Sequence, residues 1–389
     1  MKIVHLIDYY QPQVGYQEYF LAKEHVKSGH QTYVVTSDRY HNFPDYDSVY
    51  APLLGQRIVG EGIKIEQGIK TIRLKSMEIP KTNLIFLLDL YKTIRDLKPD
   101  LVLCHGVYSL TSLRIAKIKV KMDFKLIYDT HAASFNTDFN RSFLRKIYHF
   151  IYKVIFMGSI LKNADSIFAV GQAEQEYVCR DLNLPKEEVP IIRLGVDTKL
   201  FRYLVKLRNE IRSTLKIKNG ATVIIFTGKI TQDKEVHVLV EALEKIPPKK
   251  IVLLLIGGGP PDYLNKIKKI AVKTRLIHLP FVENNKLPGF YSASDIAVWP
   301  GDSSIAILEA MSCRLPVVLP DYFGTAYLNA SPGIIRFRRS NYHHLFQKIK
   351  LLAYNQDLIS KLGLINRRFV VKNLSWNKIA REILLIPKR

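Results

Sequence analysis

The chain has 389 residues, of which 47% are hydrophobic and 24% charged, a length too great for one typical core and a composition that suits a soluble globular protein of two lobes. No apolar run reaches the roughly 20 residues that cross a bilayer, and three scattered cysteines, Cys104, Cys179 and Cys313, disfavour both a disulfide framework and a zinc site. The net charge of +23 sits mainly in the second half, since residues 1–200 hold 27 Lys and Arg against 22 Asp and Glu and residues 201–389 hold 31 against 13; such a field favours an anionic partner, or reflects a Lys- and Ile-rich proteome.

In chain order, strand-like apolar runs alternate with amphipathic helices. Residues 1–8 read as a strand, 15–29 as a helix and Gln31–Thr36 as the next strand, the βαβ signature of a doubly wound parallel sheet. The opening run, Met1–Ile7, is too short for a signal peptide and points to a cytoplasmic protein. Leu101–Cys104, Lys125–Tyr128 and Ser166–Val170 continue a first Rossmann-like lobe, assigned to residues 1–200. A basic segment from Phe201 to Gly220 ends on a turn signal and is read as the linker. Thr222–Phe226, Lys250–Ile256, Asp295–Trp299 and Leu315–Leu319 then make a second Rossmann-like lobe, assigned to 201–365. Residues 366–389 are expected to hold a helix, around Trp376–Leu385, that packs back on the body. The fold class is α/β, and two such lobes facing each other form a cleft.

Ligands of open parallel sheets bind beyond the carboxyl ends of the strands, so the loops there hold the candidates. After the first strand, Gly15 opens a helix and allows backbone to approach a ligand, although a plain turn needs the same residue. In the second lobe Gly228 and Lys229 follow a strand and Lys234 stands five residues on. Two cations there would stabilise the charge of a departing diphosphate; they read equally as solvated lysines. Gly258, within Gly257–Gly259, gives a loop across which a nucleotide would lie. Asp302, Ser303, Ser304 and Ile305 lead from a strand into a helix, with amides placed for an anion. Glu309, inside that helix among apolar neighbours, needs a hydrogen-bonding partner such as ribose hydroxyls. His131 follows a strand of the first lobe and points into the cleft, where it would donate to a phosphate or sugar hydroxyl; a lone histidine is more often structural.

Taken in order, these segments resemble glycosyltransferase family 4. The matching stretches are Gly15 through Gly29-His30 with the strand after it, Asp129-Thr130-His131, Leu161–Asp165, Ile192–Asp197, Phe226–Glu235 and, most specifically, Leu308–Val318. The resemblance covers nearly the whole chain. It implies the GT-B fold, a nucleotide-sugar donor held mainly by the C-terminal lobe, retention of anomeric configuration, and no required metal or other cofactor. By the same resemblance Lys229 and Lys234 hold the donor diphosphate, Glu309 the ribose, and His131 the transferred sugar or its phosphate. The chain departs from the family pattern at four positions. Gly301 stands where the first of two glutamates is usual, with Asp302 the nearest carboxylate; Lys229 replaces a common arginine, Arg193 a common asparagine, and Tyr16 the second glycine of the first loop.

The function expected is therefore a retaining glycosyltransferase acting on a nucleotide sugar and a glycan or lipid-linked acceptor. Two alternatives stand beside it: a nucleotide-sugar epimerase or hydrolase on the same fold, and an accessory subunit that has lost activity along with the first glutamate. Asp45-Tyr46-Asp47 resembles the metal-binding Asp-x-Asp of another glycosyltransferase fold, but three-residue patterns recur by chance. Nucleic acid is not an expected partner, because charge alone speaks for it. An anionic membrane surface, at the inner face of the cell membrane, is suggested by Arg114, Lys117, Lys119, Lys121 and Lys125 and by the basic, aromatic stretch Arg141–Lys153; the opposing reading is a core-facing helix with basic residues outside.

Overall fold

Continuous apolar runs become strands buried on both faces, as parallel sheets covered by helices require. The computed structural model describes residues 1–43, 46–79, 84–133, 143–247 and 251–388. They divide into two compact units, Met1–Leu194 with Trp376–Arg389, and Gly195–Ser375.

In the first unit β1 (Lys2–Leu6), β2 (Gln31–Ser37), β3 (Gly62–Glu66), β4 (Ile69–Leu74), β7 (Leu101–His105), β8 (Lys125–Thr130) and β9 (Ser166–Ala169) form one sheet in the order β3-β4-β2-β1-β7-β8-β9. A short pair, β5 (Ser76–Glu78) and β6 (Ile85–Leu87), stands apart from it. All main-sheet neighbours are parallel except β3 and β4. Alternation along the strands separates two cores. Val4, Val102, Cys104, Leu126 and Tyr128 pack on one face. On the other, Ile3, Leu101, Leu103 and Ile127 pack against Phe20 of the Gln17–Lys27 helix and against Trp376, Ile379 and Ile383 of the Trp376–Leu385 helix. The Phe20 and Trp376 rings stack at 5.4 Å between centroids.

The second unit is a six-stranded parallel sheet, β12-β11-β10-β13-β14-β15, made of β10 (Thr222–Thr227), β11 (Ile251–Ile256), β12 (Arg275–Leu279), β13 (Ile296–Val298), β14 (Val317–Pro320) and β15 (Ile334–Phe337). Lys250, placed in the β11 run from sequence, lies outside the described residues. The chain's first strand in each sheet, β1 or β10, is flanked on one side by the next segment and on the other by a later one. Each sheet thus has a switch point, between β1 and β7 and between β10 and β13, where strand order reverses and loops part to admit a ligand.

The units divide before Gly195, not in the basic segment after Leu200. Val196 pairs with Ser375, its amide donating to the Leu374 carbonyl at 2.8 Å, and Phe201 enters the second core. The Gln356–Asn373 helix likewise runs past residue 366 and gives Val370 to that core, so the chain returns only at Trp376. Cys104, Cys179 and Cys313 are buried free thiols. Among the described residues no helix is long and apolar enough to cross a membrane.

Candidate active site

At the second switch point the loop after β10 is locked through backbone to the loop after β11 on one side and to that after β13 on the other. The Gly228 amide donates to the Ile256 carbonyl at 3.0 Å and the Ile230 amide to Gly258 at 2.8 Å. A Cβ on Gly257, whose φ is +140°, would stand 1.9 Å from the Gly228 carbonyl oxygen, and one on Gly259 would stand 1.9 Å from that of Ile230. Those two glycines are therefore fixed by the passing chain. Gly258 between them faces open space, leaving it the position at which a ligand can approach the backbone.

The β13 loop closes on the other side. The Asp302 amide donates to the Asp233 carbonyl at 3.1 Å. A Cβ on Gly301 would meet Asp233 O at 2.2 Å and Lys234 C at 2.6 Å. The carboxylate expected from the family pattern has no room here unless the β10 loop moves. Lys234 folds over the same junction: its ammonium donates to the carbonyls of Ser303 at 3.1 Å and Asp302 at 3.3 Å. Lys229 is exposed and has no side-chain partner among the described residues, so the two lysines differ in rigidity although they share a loop. Asp302 is held by Arg339, 2.7 Å from its Oδ1. The same guanidinium donates to Glu235 at 3.0 Å and lies over the Tyr322 ring. Glu235 itself adopts φ +49°, in the left-handed region, at the turn into the Val236–Leu243 helix. Arg339 was not a sequence candidate, because no local pattern links it to a loop 37 residues earlier.

Beyond Asp302, the Ser304 hydroxyl accepts at 3.3 Å from the amide of Ala306, the first residue of the Ala306–Ser312 helix. Among the described residues the amides of Ser303, Ser304 and Ile305 donate to no protein acceptor. Glu309 is buried as expected, but the protein supplies its partners: the Tyr291 hydroxyl donates to Oε2 at 2.9 Å and Asn284 Nδ2 to Oε1 at 3.1 Å. Tyr291 also bonds Thr227 Oγ1 at 2.7 Å, and the Trp299 indole donates to the Thr227 carbonyl at 2.9 Å. Ribose hydroxyls are thus not needed to satisfy the carboxyl group. Burial pushes its pKa up to about 7, against the two hydrogen bonds.

At the first switch point the site is made of side chains. Gly15, at φ +77°, makes a turn through its amide to Pro12, and the helix opens two residues later at Gln17. Asp129, fully buried at the end of β8, accepts from His105 Nδ1 at 2.6 Å, the Gly106 amide at 2.8 Å and Gln17 Nε2 at 2.9 Å. His131 follows, its side chain half exposed and its Nε2 4.0 Å from Asp129 Oδ2. Partial burial lowers its pKa, the Asp129 charge opposing and His105 adding to the shift. His105 was overlooked in the sequence, although a histidine before glycine at a strand end was the available signal.

Of the Asp45-Tyr46-Asp47 triplet, Asp45 lies outside the described residues and Tyr46 turns its hydroxyl to the Gly55 carbonyl at 3.1 Å. Arg141 and Ser142 also lie outside them. Four of the five basic residues proposed for lipid are engaged within the protein, Lys117 over the Phe156 ring at 6.0 Å. Arg114 covers the Phe86 ring, Lys119 binds Asp165, and Lys125 donates to the Ile386 carbonyl.

Residues 18–200 match the family model described as Glycosyltransferase Family 4, and residues 221–353 match that described as Glycosyl transferases group 1. An uncharacterized glycosyltransferase, MJ1607 of Methanocaldococcus jannaschii, is 25% identical over 57% of this chain and 59% of its own length. The chain spans only part of the curated relatives it matches, 53% and 43% of the next two. Among solved structures, a glycosyltransferase from Rickettsia africae aligns with a TM-score of 0.74 at 16% identity, covering 98% of this chain and 97% of that one. Anabaena Alr3699/HepE, solved with UDP, aligns at 0.71 and 16%, covering 99% and 98%. These likenesses show the GT-B fold, with which the order of both sheets agrees, and the two matched models identify residues 18–200 with glycosyltransferase family 4 and residues 221–353 with the group 1 glycosyltransferases.

Proposed function

We propose that this chain transfers a sugar from a nucleoside-diphosphate donor to a hydroxyl of an acceptor, with retention of configuration and without a metal ion. The observation that carries this reading is the β10–β13 junction. Three unengaged amides at Ser303–Ile305 and an ammonium fixed on the adjoining carbonyls lie where strand order reverses, and the open backbone at Gly258 lies on the β11 loop, which is bonded to the β10 loop. Donors held rigidly at the place where charge develops need no reorganisation when the phosphate leaves. The acceptor oxygen bonds to the anomeric carbon as the bond from that carbon to phosphate breaks, and the leaving phosphate oxygen takes the acceptor proton. Lys234 and Lys229 offset the diphosphate charge, Glu309 holds ribose hydroxyls, and His131 of the first unit meets the transferred sugar. That a fold neighbour was solved with UDP supports a nucleotide as the ligand.

The test is calorimetric titration with UDP, GDP and ADP. Saturable binding of one nucleotide, lost in Lys234→Ala, is the expected result, together with at least a hundredfold loss of turnover, roughly the effect of removing one oriented donor from such a site. Unchanged turnover in that variant overturns the assignment. Consumption of donor without acceptor would favour the hydrolase reading.

A second reading concerns location. Phe150, Val154 and Ile155 are each more than 60% exposed along residues 143–163, with Lys153 beside them, while Tyr152 and Met157 of the same segment are buried. We propose that this face rests on an anionic membrane, which would bring a lipid-linked acceptor within reach. Failure to sediment with anionic liposomes at low salt would overturn it.

A further inference from the structure

Three imidazoles run in line beneath the first unit's sheet face. His25 Nε2 lies 3.2 Å from the Ala380 carbonyl oxygen, His25 Nδ1 lies 3.0 Å from His5 Nε2, and His5 Nδ1 lies 3.0 Å from His105 Nε2. His105 Nδ1 ends the line on Asp129 Oδ2. His5 and His25 are buried to within 1% of completely, so water does not replace any of these contacts.

The ends of the line decide where the protons are. A peptide carbonyl only accepts, so His25 Nε2 carries hydrogen and its Nδ1 accepts. His5 must then donate through Nε2 and accept at Nδ1, and His105 must donate through Nε2. The last contact also needs a proton. Four contacts thus require four protons, whereas three neutral rings carry three, and the fourth is shared between His105 and Asp129. Three donors already converge on the Asp129 carboxylate, which favours its ionised form and places the positive charge on His105.

We propose that His5 and His25 are positioning residues: with His105 they form a strut, anchored at Ala380, that fixes the imidazolium of His105 against Asp129 and thereby keeps His131 neutral. This rests on the reading of His131 as the group that meets the transferred sugar. Were Asp129 unpaired, its charge 4.0 Å from His131 Nε2 would favour protonation there. A neutral ring can both donate to and accept from sugar hydroxyls, which an imidazolium cannot.

The shifts agree with the geometry. Burial lowers His5 and His25, His25 to about 4, and the Asp129 charge raises His105 above its ordinary value despite burial. The other groups facing the rings are Glu18 and Glu24 of the Gln17–Lys27 helix, His30 before β2, and His131 itself. The Trp376–Leu385 helix offers the Ala380 carbonyl.

The experiment is long-range proton–nitrogen spectroscopy of the imidazoles in the full-length protein at pH 7, which needs no variant. His5 and His25 are expected as neutral Nε2–H tautomers, His105 as a cation and His131 as neutral. A neutral His105, or an Nδ1–H tautomer at His5 or His25, overturns the proposal. His105→Gln should then raise the His131 pKa by about one unit or more and move the acid limb of kcat/KM with it. A shifted pKa with an unmoved rate profile would keep the strut and remove His131 from the sugar; an unshifted pKa would remove the strut.

Discussion

The two units share one topology and build their switch points from opposite materials. In the second, the loop after β10 meets those after β11 and β13 backbone to backbone, with glycines at 257, 259 and 301 because a Cβ there would strike a carbonyl. In the first, the strands β1, β7 and β8 and the Gln17–Lys27 helix are joined near the switch point by side chains, three histidines, a glutamine and an aspartate. One site is set by steric exclusion and the other by where protons sit. Substitutions that add a methyl group should therefore injure the second unit, while changes of pH should act on both with opposite sign, through the histidines of the first and through Glu309 of the second.

The largest expected effect is steric. Gly257→Ala combines a forbidden φ with a carbonyl at 1.9 Å and should cost about 3 kcal/mol or more, the upper range for overpacking. Gly258→Ala, with nothing within 4 Å, should cost less than about 1 kcal/mol. If Gly258 is the approach point for a nucleotide, the second variant keeps its thermal midpoint but loses affinity. Equal midpoints for both variants would show that the loops are not locked as described.

Next in size are two pH effects of opposite sign. Glu309 is raised to about 7 from its ordinary value, so the native state keeps a proton that the unfolded chain has released. The penalty is absent below about pH 4.5 and complete above about 7. Glu309→Gln should be more stable than the parent at pH 8, by up to about 3 kcal/mol for a shift of this size, and the gap should close toward pH 5. His25 is lowered to about 4, so the native state refuses a proton that the unfolded chain takes up. Its contribution is complete above about 6.5 and lost as pH falls toward 4. His25→Gln should be less stable than the parent at pH 7.5 and approach it on acidification. Glu18, also raised to about 7, offsets part of this in the parent. Urea denaturation at three pH values checks both variants, and parallel curves would overturn the assignment of the shifts.

The sequence made the central strands legible because burial on both faces leaves a run of apolar residues, as in Ile251–Ile256 and Leu101–Cys104. It left the edges obscure. β12 and β15 each have one flank unpaired, and Arg275, His278 and Arg336 interrupt their apolar runs. The candidate loops could be found because glycines and lysines after strands are local signals. Their reasons could not: Gly301 is explained by the carbonyl of Asp233, and Asp302 is held by Arg339, contacts made only on folding. His5, His25 and His105 stand far apart in the sequence. Their meaning lies in pairings across 20 and 100 positions.

The smallest effect divides the two lysines. Resemblance assigns both to the diphosphate, but only Lys234 is held by the protein, across two carbonyls, while Lys229 is exposed. An exposed ammonium must be ordered by the ligand itself, which costs side-chain entropy and leaves it screened by water. Lys229→Ala is accordingly expected to weaken nucleotide binding less than about tenfold and to lessen its dependence on salt relative to the parent. Measured as paired titrations at low and high ionic strength, a loss at Lys229 equal to that at Lys234 would mean that donor binding orders this loop, and that the second site, too, is completed by a side chain.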